Sequence, residues 1–187
     1  MTDAISDAFR AVPRWNFLPD EVVGQVDIDM PLPIGHGVTN SQPSTVARML
    51  EWLEVEPGQK ILDVGSGSGW TTALLAHLVG QNGYVIGVER IAELVEVGRE
   101  NTMRLGIKNV EFHEAGDVYG WPDEAPYDRI LVSADARDLP DDLTEQLAPG
   151  GIIVIPVAGS IFKIKKDEKN EELIAHEHPG YAFVPLV

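Results

Sequence analysis

Residues 61–70 read ILDVGSGSGW: a short strand-like run, then glycine at 65, 67 and 69, then the start of a helical pattern. Glycine lets the chain turn sharply, and its missing Cβ lets a ligand come close to the backbone. A helix beginning behind such a turn presents unpaired N–H groups to whatever lies in it. Outward from this point, TTALLAHLVG (71–80) puts Thr71, Leu74, Leu75 and Leu78 on one helical face and stops at Gly80, a C-cap residue. YVIGV (84–88) is a second apolar strand, and IAELVEVGRENTMRLG (91–106) a helix with Ile91, Leu94 and Val95 inward. VEFHEA (110–115), RILVSA (129–134) and GIIVIPV (151–157) are three more strand candidates. On the other side, VARMLEWL (46–53) aligns Val46, Met49, Leu50 and Leu53, and EPGQ (56–59) is the turn into the first strand. Nearly continuous apolar strands separated by amphipathic helices predict an α/β fold, a doubly wound, mostly parallel sheet covered on both faces. SIFKIKK (160–166), EELIAHE (171–177) and YAFVPLV (181–187) read as short antiparallel strands closing one edge, with the charge run KIKKDEKNEE (163–172) as a solvated hairpin turn.

A chain of 187 residues can bury a sizeable single core, so one domain is expected. Residues 1–42 form a lead-in with a short helix near ISDAFRAV (5–12), packed over the ligand-binding edge, and 43–187 form the core. With no cysteine, disulfides, thiol catalysis and thiolate metal sites are excluded, and a reducing cytosol fits. No N-terminal basic segment precedes an apolar run, so no signal peptide is expected. No apolar run approaches the roughly 18 residues of a membrane span. The net charge of −16 argues against a nucleic-acid partner, since phosphate binding rests on Lys and Arg. A cytoplasmic monomer is the default.

Two cofactor readings compete for the glycine loop, beside a purely structural turn. A dinucleotide site would read G-x-G-x-x-G; the tighter G-x-G-x-G found here favours S-adenosylmethionine over NAD. Glu89 ends the second strand 20 residues beyond Gly69, where an acid accepts hydrogen bonds from ribose hydroxyls. It serves either cofactor. Asp117, after the third strand, lies where an adenine amino group falls in this architecture, and a plain turn aspartate is the alternative.

VTNSQPST (38–45) carries the second signal. Ser41 or Gln42 would cap the helix that follows, with Pro43 in its first turn. Hydroxyls and free N–H groups at a helix start also suit a carboxylate. Ser41 is therefore open to two readings, a cap and a binding residue.

Taken together, these segments resemble the protein-L-isoaspartate O-methyltransferase family over nearly the full length. DAFRAVPRWNFLPDE (7–21) is similar to its Pro-Arg-x-x-Phe-x-Pro segment, and LPIGHG (32–37) followed by TNSQP (39–43) to its Leu-Pro-Ile-Gly…Thr-Ile-Ser-Gln-Pro stretch. LDVGSGSGW (62–70), GWPDEAPYDRILVSA (120–134), LPDDLTEQLAPGGIIVIPV (139–157) and FVPLV (183–187) match further segments. The resemblance implies a Rossmann-like methyltransferase that moves a methyl group from S-adenosyl-L-methionine to the α-carboxylate of an L-isoaspartyl residue in a damaged protein. The ester then closes to a succinimide that hydrolyses in part to aspartate, a repair. It also implies Ser41 and Thr39 as the active-site hydroxyls, with Asn40, Gln42 and Pro43 beside the acceptor. The cofactor set expected is Asp63, Gly65, Ser66, Gly67, Ser68, Gly69, Glu89, Arg90, Asp117 and Val118. A carboxylate acceptor, with an ordinary pKa of about 4, is ionised at neutral pH and needs no general base.

Some positions depart from the family. Val38 and Asn40 replace Gln and Ile, Ser44 stands where Tyr or His is usual, and Gly-Asp-Gly becomes Gly116-Asp117-Val118. Ala-Ala-Ala-Pro becomes Ala134-Asp135-Ala136-Arg137, so Arg137 either pairs with a substrate carboxylate in a bidentate way or with Asp135 or Asp138. These changes keep two alternatives open: a methyltransferase for a different carboxylate, and a cofactor-binding module without turnover. HEH (176–178) is too small a set for a metal, and none is expected. His113 is read as a packing or edge residue, Trp70 as packing and not stacking on adenine, and His36 as either turn or ligand contact.

Overall fold

A computed structural model describes residues 1–186. The elements in chain order are α1 (Asp3–Ala11), α2 (Asp20–Val23), β1 (Leu32–Pro33), β2 (Thr39–Asn40), α3 (Pro43–Leu53), β3 (Lys60–Val64), α4 (Trp70–Val79), β4 (Tyr84–Glu89), α5 (Ala92–Arg104), β5 (Val110–Glu114), β6 (Tyr127–Val132), α6 (Asp141–Glu145), β7 (Leu147–Val157), β8 (Ser160–Lys166) and β9 (Leu173–Pro179). β1 and β2 form a small antiparallel hairpin; the other seven form one sheet in the order β5-β4-β3-β6-β7-β8-β9. The first five of these are parallel, and β8 and β9 are antiparallel additions at one edge. The chain leaves β3 toward β4 and β5, then returns to place β6 on β3's other side, so the strand order reverses between β3 and β6. Ligands of open parallel sheets bind at the carboxyl ends of strands flanking such a reversal. The glycine loop follows β3 there.

Both faces of the sheet are covered along β3, β4, β6 and most of β7, which is why those strands are nearly continuous apolar runs, whereas β5 and β9 at the edges are largely exposed. Along β7, Ile152 and Val154 join the cluster under α1, α3 and α4, while Ile153 and Ile155 join Leu62, Ile86, Tyr127, Ile130 and Leu143 on the other face. α3 buries Val46, Met49, Leu50 and Leu53, the four residues its periodicity selects. α4 differs from its expected single face: Thr72, Ala73, Ala76 and Val79 are buried as well as Thr71, Leu74 and Leu75. α1 packs on its outer side, with Ile5, Ala8 and Val12 entering the same cluster.

Two further expectations change. Ile5, Ala8, Val12 and Phe17 of the lead-in pack into the core, and only its later part, Ile34 and Val38 onward, reaches the cleft. The edge strand expected at 181–187 is not formed over the described residues, and Val187 lies outside them. Pro185 has no N–H for a ladder. The segment turns back instead: the Asp135 N–H donates to Val184 O (2.8 Å), and the Leu186 N–H to Asp135 O (2.8 Å). Among the described residues no helix is long and apolar enough to cross a membrane.

Candidate active site

A cleft opens where the sheet order reverses, and its floor is the loop between β3 and α4. Gly65, Gly67 and Gly69 all have positive φ (77°, 52° and 87°), a region L side chains enter at a cost. The loop is tied down: the N–H groups of Gly65 and Ser66 donate to Val88 O (2.8 and 3.1 Å), and that of Gly69 to Ser66 O (2.8 Å). A Cβ on Gly67 would stand 3.2 Å from Ile34 Cδ1. One on Gly69 would stand 3.0 Å from Gly98 Cα and 3.1 Å from Phe112 Cζ.

Glu89, at the end of β4, is buried, with Oε2 accepting from the Gly67 N–H (3.0 Å) and Oε1 from the Ile91 N–H (3.0 Å). Its carboxylate is therefore fixed at the cleft. Ser66 Oγ is buried in the same lining with no hydrogen-bond partner in the protein. A buried hydroxyl left unpaired is costly, so this one points to a polar ligand.

Asp63, expected among the cofactor contacts, is not in the lining. It is wholly buried behind the loop, where Oδ2 accepts from the hydroxyls of Thr71 (2.7 Å) and Thr72 (2.6 Å) in the first turn of α4. Burial pushes its carboxyl from the ordinary 3.8 up to about 6, against the pull of those two hydrogen bonds. The folded protein thus holds this proton more tightly than the unfolded chain does. Its ionisation costs stability progressively as pH rises from about 4 to about 6. Relative to wild type, Asp63→Asn, which cannot ionise, is expected to gain melting temperature across that window and show a constant offset above it. Thermal unfolding without cofactor at stepped pH measures this; a gap independent of pH would contradict the raised value.

The walls come from distant parts of the chain. Arg90, Ala115, Gly116, Asp117, Val118, Tyr119 and Gly120 form one, Ser133 and Ala134 the end of β6, and Val184, Pro185 and Leu186 another. Gln146, buried just before β7, holds the first wall: its Oε1 accepts from the Trp121 N–H (2.8 Å), and its Nε2 donates to Tyr119 O (2.7 Å). His113 supports the same wall from β5, its ring stacked on Trp121 at 3.9 Å between centroids.

The remaining wall is Ile34 and Val38 to Ser41. Thr39 and Ser41 are open to the cleft, whereas Asn40 is buried between them. Its Oδ1 accepts from Arg14 Nε (2.8 Å), and its Nδ2 donates to Ser68 Oγ (3.4 Å). Asn40 thus lines the cleft and also braces the wall from behind. Arg14, only 5% exposed, also donates through Nη2 to the carbonyls of Met30 (2.9 Å), Asn40 (3.0 Å) and Ser41 (2.9 Å). Burial lowers its pKa, and Asp29 offsets part of that effect.

The cap of α3 is Gln42, not Ser41, and Pro43 is at its first turn as expected. Neither Ser41 nor Gln42 makes a side-chain cap; Asp29 supplies it, with Oδ1 accepting from the Ser44 N–H (2.9 Å) and Oδ2 from Gln42 Nε2 (3.0 Å). Arg14 and Asp29 escaped the sequence reading as site residues, although Arg14 stands in the Pro-Arg segment quoted above.

Of the other candidates, Arg137, His36 and His178 fall outside the cleft, while Trp70 is part of its lining. Arg137 is exposed, absent from the lining, and makes no ion pair with Asp135 or Asp138 among the described residues. Trp70 is buried, its Nε1 donating to Val12 O (3.2 Å) and its ring set edge-to-face on Phe9 (5.4 Å). His36 is exposed at the tip of the β1–β2 hairpin with φ 52°. His178 stacks on Trp52 at 3.8 Å, and no group of three metal-ligating side chains occurs among the described residues.

A parallel sheet with this strand reversal, a G-x-G-x-G loop at the reversal and a fixed acid on the next strand defines a Rossmann-like, class I S-adenosylmethionine-dependent methyltransferase. The profile of one family, described as protein-L-isoaspartate(D-aspartate) O-methyltransferase, matches residues 1–187, and the chain belongs to that family. A protein-L-isoaspartate O-methyltransferase of Methanothrix thermoacetophila is 42% identical over 187 residues, covering 100% of this chain and 89% of its own. One of Aeropyrum pernix is 51% identical, covering 98% of this chain and 72% of its own. A solved Plasmodium falciparum candidate of the same activity, in complex with S-adenosyl-L-homocysteine, superposes with a TM-score of 0.85 at 30% identity, covering 100% of this chain and 91% of that one.

Proposed function

We infer that this protein transfers a methyl group from S-adenosyl-L-methionine to the α-carboxylate of L-isoaspartyl residues, beginning their repair to aspartate. The observation that carries the residue-level reading is the cleft that joins the glycine loop and Glu89 to the hydroxyls of Thr39 and Ser41. The residues present fit the cofactor: an unpartnered buried Ser66 hydroxyl, the turn at Gly65 and Gly67, and a fixed Glu89 carboxylate line one cavity. The backbone of Gly65 to Gly69, Ser66, Glu89 and the wall at Asp117 and Val118 would hold it.

S-adenosyl-L-methionine supplies its methyl group on a sulfonium, already activated for transfer. The acceptor carboxylate is ionised at neutral pH, so the protein need only align it and keep water away. Thr39 and Ser41 hydroxyls bind and orient that carboxylate. Val64, Val88, Val184 and Leu186 supply apolar lining that excludes water. Alignment of this kind accounts for up to about 7–11 kcal/mol of a barrier in well-oriented systems. The partners are damaged proteins or peptides. A monomer working in the cytosol is the setting we propose.

Labelled S-adenosyl-L-methionine, offered with matched isoaspartyl and aspartyl peptides, tests the assignment: methyl ester should form on the isoaspartyl peptide alone. Labelling of neither, with cofactor bound, would leave a binding module; labelling of another carboxylate would move the acceptor. Ser41→Ala is expected to lower kcat/KM roughly 10- to 100-fold, the worth of a hydrogen bond to a charged group. S-adenosyl-L-homocysteine affinity should stay nearly unchanged. Unchanged turnover would remove Ser41 from the chemistry.

A further inference from the structure

The start of α3 is a place where a carboxylate binds well, because Gln42 and the Ser44 N–H offer two converging donors at the positive end of a helix. In this structure those donors are filled from within by Asp29, one oxygen to each. The same two hydrogen bonds, that of Gln42 foremost, pull the Asp29 carboxyl below the ordinary carboxylate range. Arg14 grips the neighbouring backbone at Met30 and at Asn40 and Ser41. Residues 29–30 and 40–44 are thereby stapled twice, once through a buried cation and once through a surface anion.

We propose that Asp29 is a positioning residue for the acceptor. By filling the donors at the start of α3, it holds Thr39 and Ser41 toward the cleft and leaves their hydroxyls to receive the substrate carboxylate. The inference rests on the methyl-acceptor role given above to those hydroxyls. It also explains why the helix start is closed to the substrate: a carboxylate seated on Ser44 would have to displace Asp29 and loosen the strip that aligns it.

The test compares Asp29→Ala and Asp29→Asn. Asparagine can keep both hydrogen bonds if the Gln42 amide turns over, because its oxygen accepts from Ser44 and its NH2 donates to Gln42. Asp29→Ala is expected to raise the KM for an isoaspartyl peptide about five- to tenfold, the scale of a lost cap, with S-adenosyl-L-homocysteine affinity within about twofold. Asp29→Asn should recover to within about threefold of wild type by the same scale. An unchanged KM in Asp29→Ala overturns the proposal. So does a lowered one, which would make Asp29 a competitor of the substrate. Amide hydrogen exchange over residues 38–45 is read in the same proteins and needs no substrate: Asp29→Ala should speed it, and unchanged exchange overturns the clamp. If wild type fails to methylate the isoaspartyl peptide, the functional reading has failed, while the exchange result still decides the clamp.

Discussion

Arg14→Ala is expected to lower the melting temperature by about 10 °C, as a loss of about 3–5 kcal/mol would in a domain of this size. Arg14 is 5% exposed and donates to four backbone carbonyls, those of Ile28, Met30, Asn40 and Ser41, and to the Asn40 amide oxygen. Each acceptor left unpaired in a buried place costs about 1–3 kcal/mol, and water entering the gap offsets part of the total. The ring of Trp70 also loses the cation that lies 5.5 Å from its centroid. Stabilities of natural domains run to about 5–15 kcal/mol, so the variant should fold but be fragile. Its active strip should suffer more than its sheet, because the lost bonds lie at Met30, Asn40 and Ser41. Arg14→Lys keeps the charge but has no planar fork, and should fall between the two. Thermal unfolding and peptide KM check this; a melting temperature within about 2 °C of wild type would show that other groups satisfy those carbonyls.

Gly69→Ala is the second large change. A left-handed φ of 87° costs an L residue about 1–2 kcal/mol. The new methyl would also press on Gly98 Cα at 3.0 Å and on the Phe112 ring at 3.1 Å. That ring has little freedom, since Cβ atoms on Gly87 and Gly98 would come within 2.9 and 2.8 Å of it. Overpacking of this kind adds about 1–3 kcal/mol, for a total of about 2–5 kcal/mol. Because Gly69 closes the cofactor loop, S-adenosyl-L-homocysteine binding should weaken at least about tenfold, equivalent to about 1.4 kcal/mol. Gly98→Ala separates the two causes. Gly98 sits inside α5 without positive φ, so only the overlap applies. Adding Phe112→Leu should recover much of the loss in Gly98→Ala and less of that in Gly69→Ala, as a double-mutant cycle would register. Equal recovery in both would mean that backbone strain contributes little.

Much of this architecture can be read from residue order because its determinants are local or periodic. Val46, Met49, Leu50 and Leu53 declare α3 by spacing alone, and continuous apolar strands declare a sheet covered twice. The glycine loop is visible because its conformation demands glycine. The rest depends on what lies far away in the chain. Nothing in the local pattern around Thr71 shows that α1 will cover the outer side of α4. That Asn40 is also bonded to Arg14, 26 residues earlier, has no local signal. Asp29 caps a helix that begins well downstream, so no local capping rule identifies it. Arg137 lies near the strand ends in sequence, yet its side chain faces solvent, a matter of backbone direction after β6 that composition does not encode. The segment 181–186 has strand-like residues, but its backbone pairs with Gly159 and Asp135, far away in the chain, and not with the edge of the sheet.

That last segment bears on the order in which the protein is made. Val184, Pro185 and Leu186 form a wall of the cleft, yet they leave the ribosome after every strand of the sheet. A nascent chain interrupted before residue 184 has the nine strands of the described residues and the glycine loop but an open-sided cavity. Closure of this wall thus waits for residues 184–186 and follows the sheet, so a copy interrupted before them cannot enclose a cofactor as one that has them does.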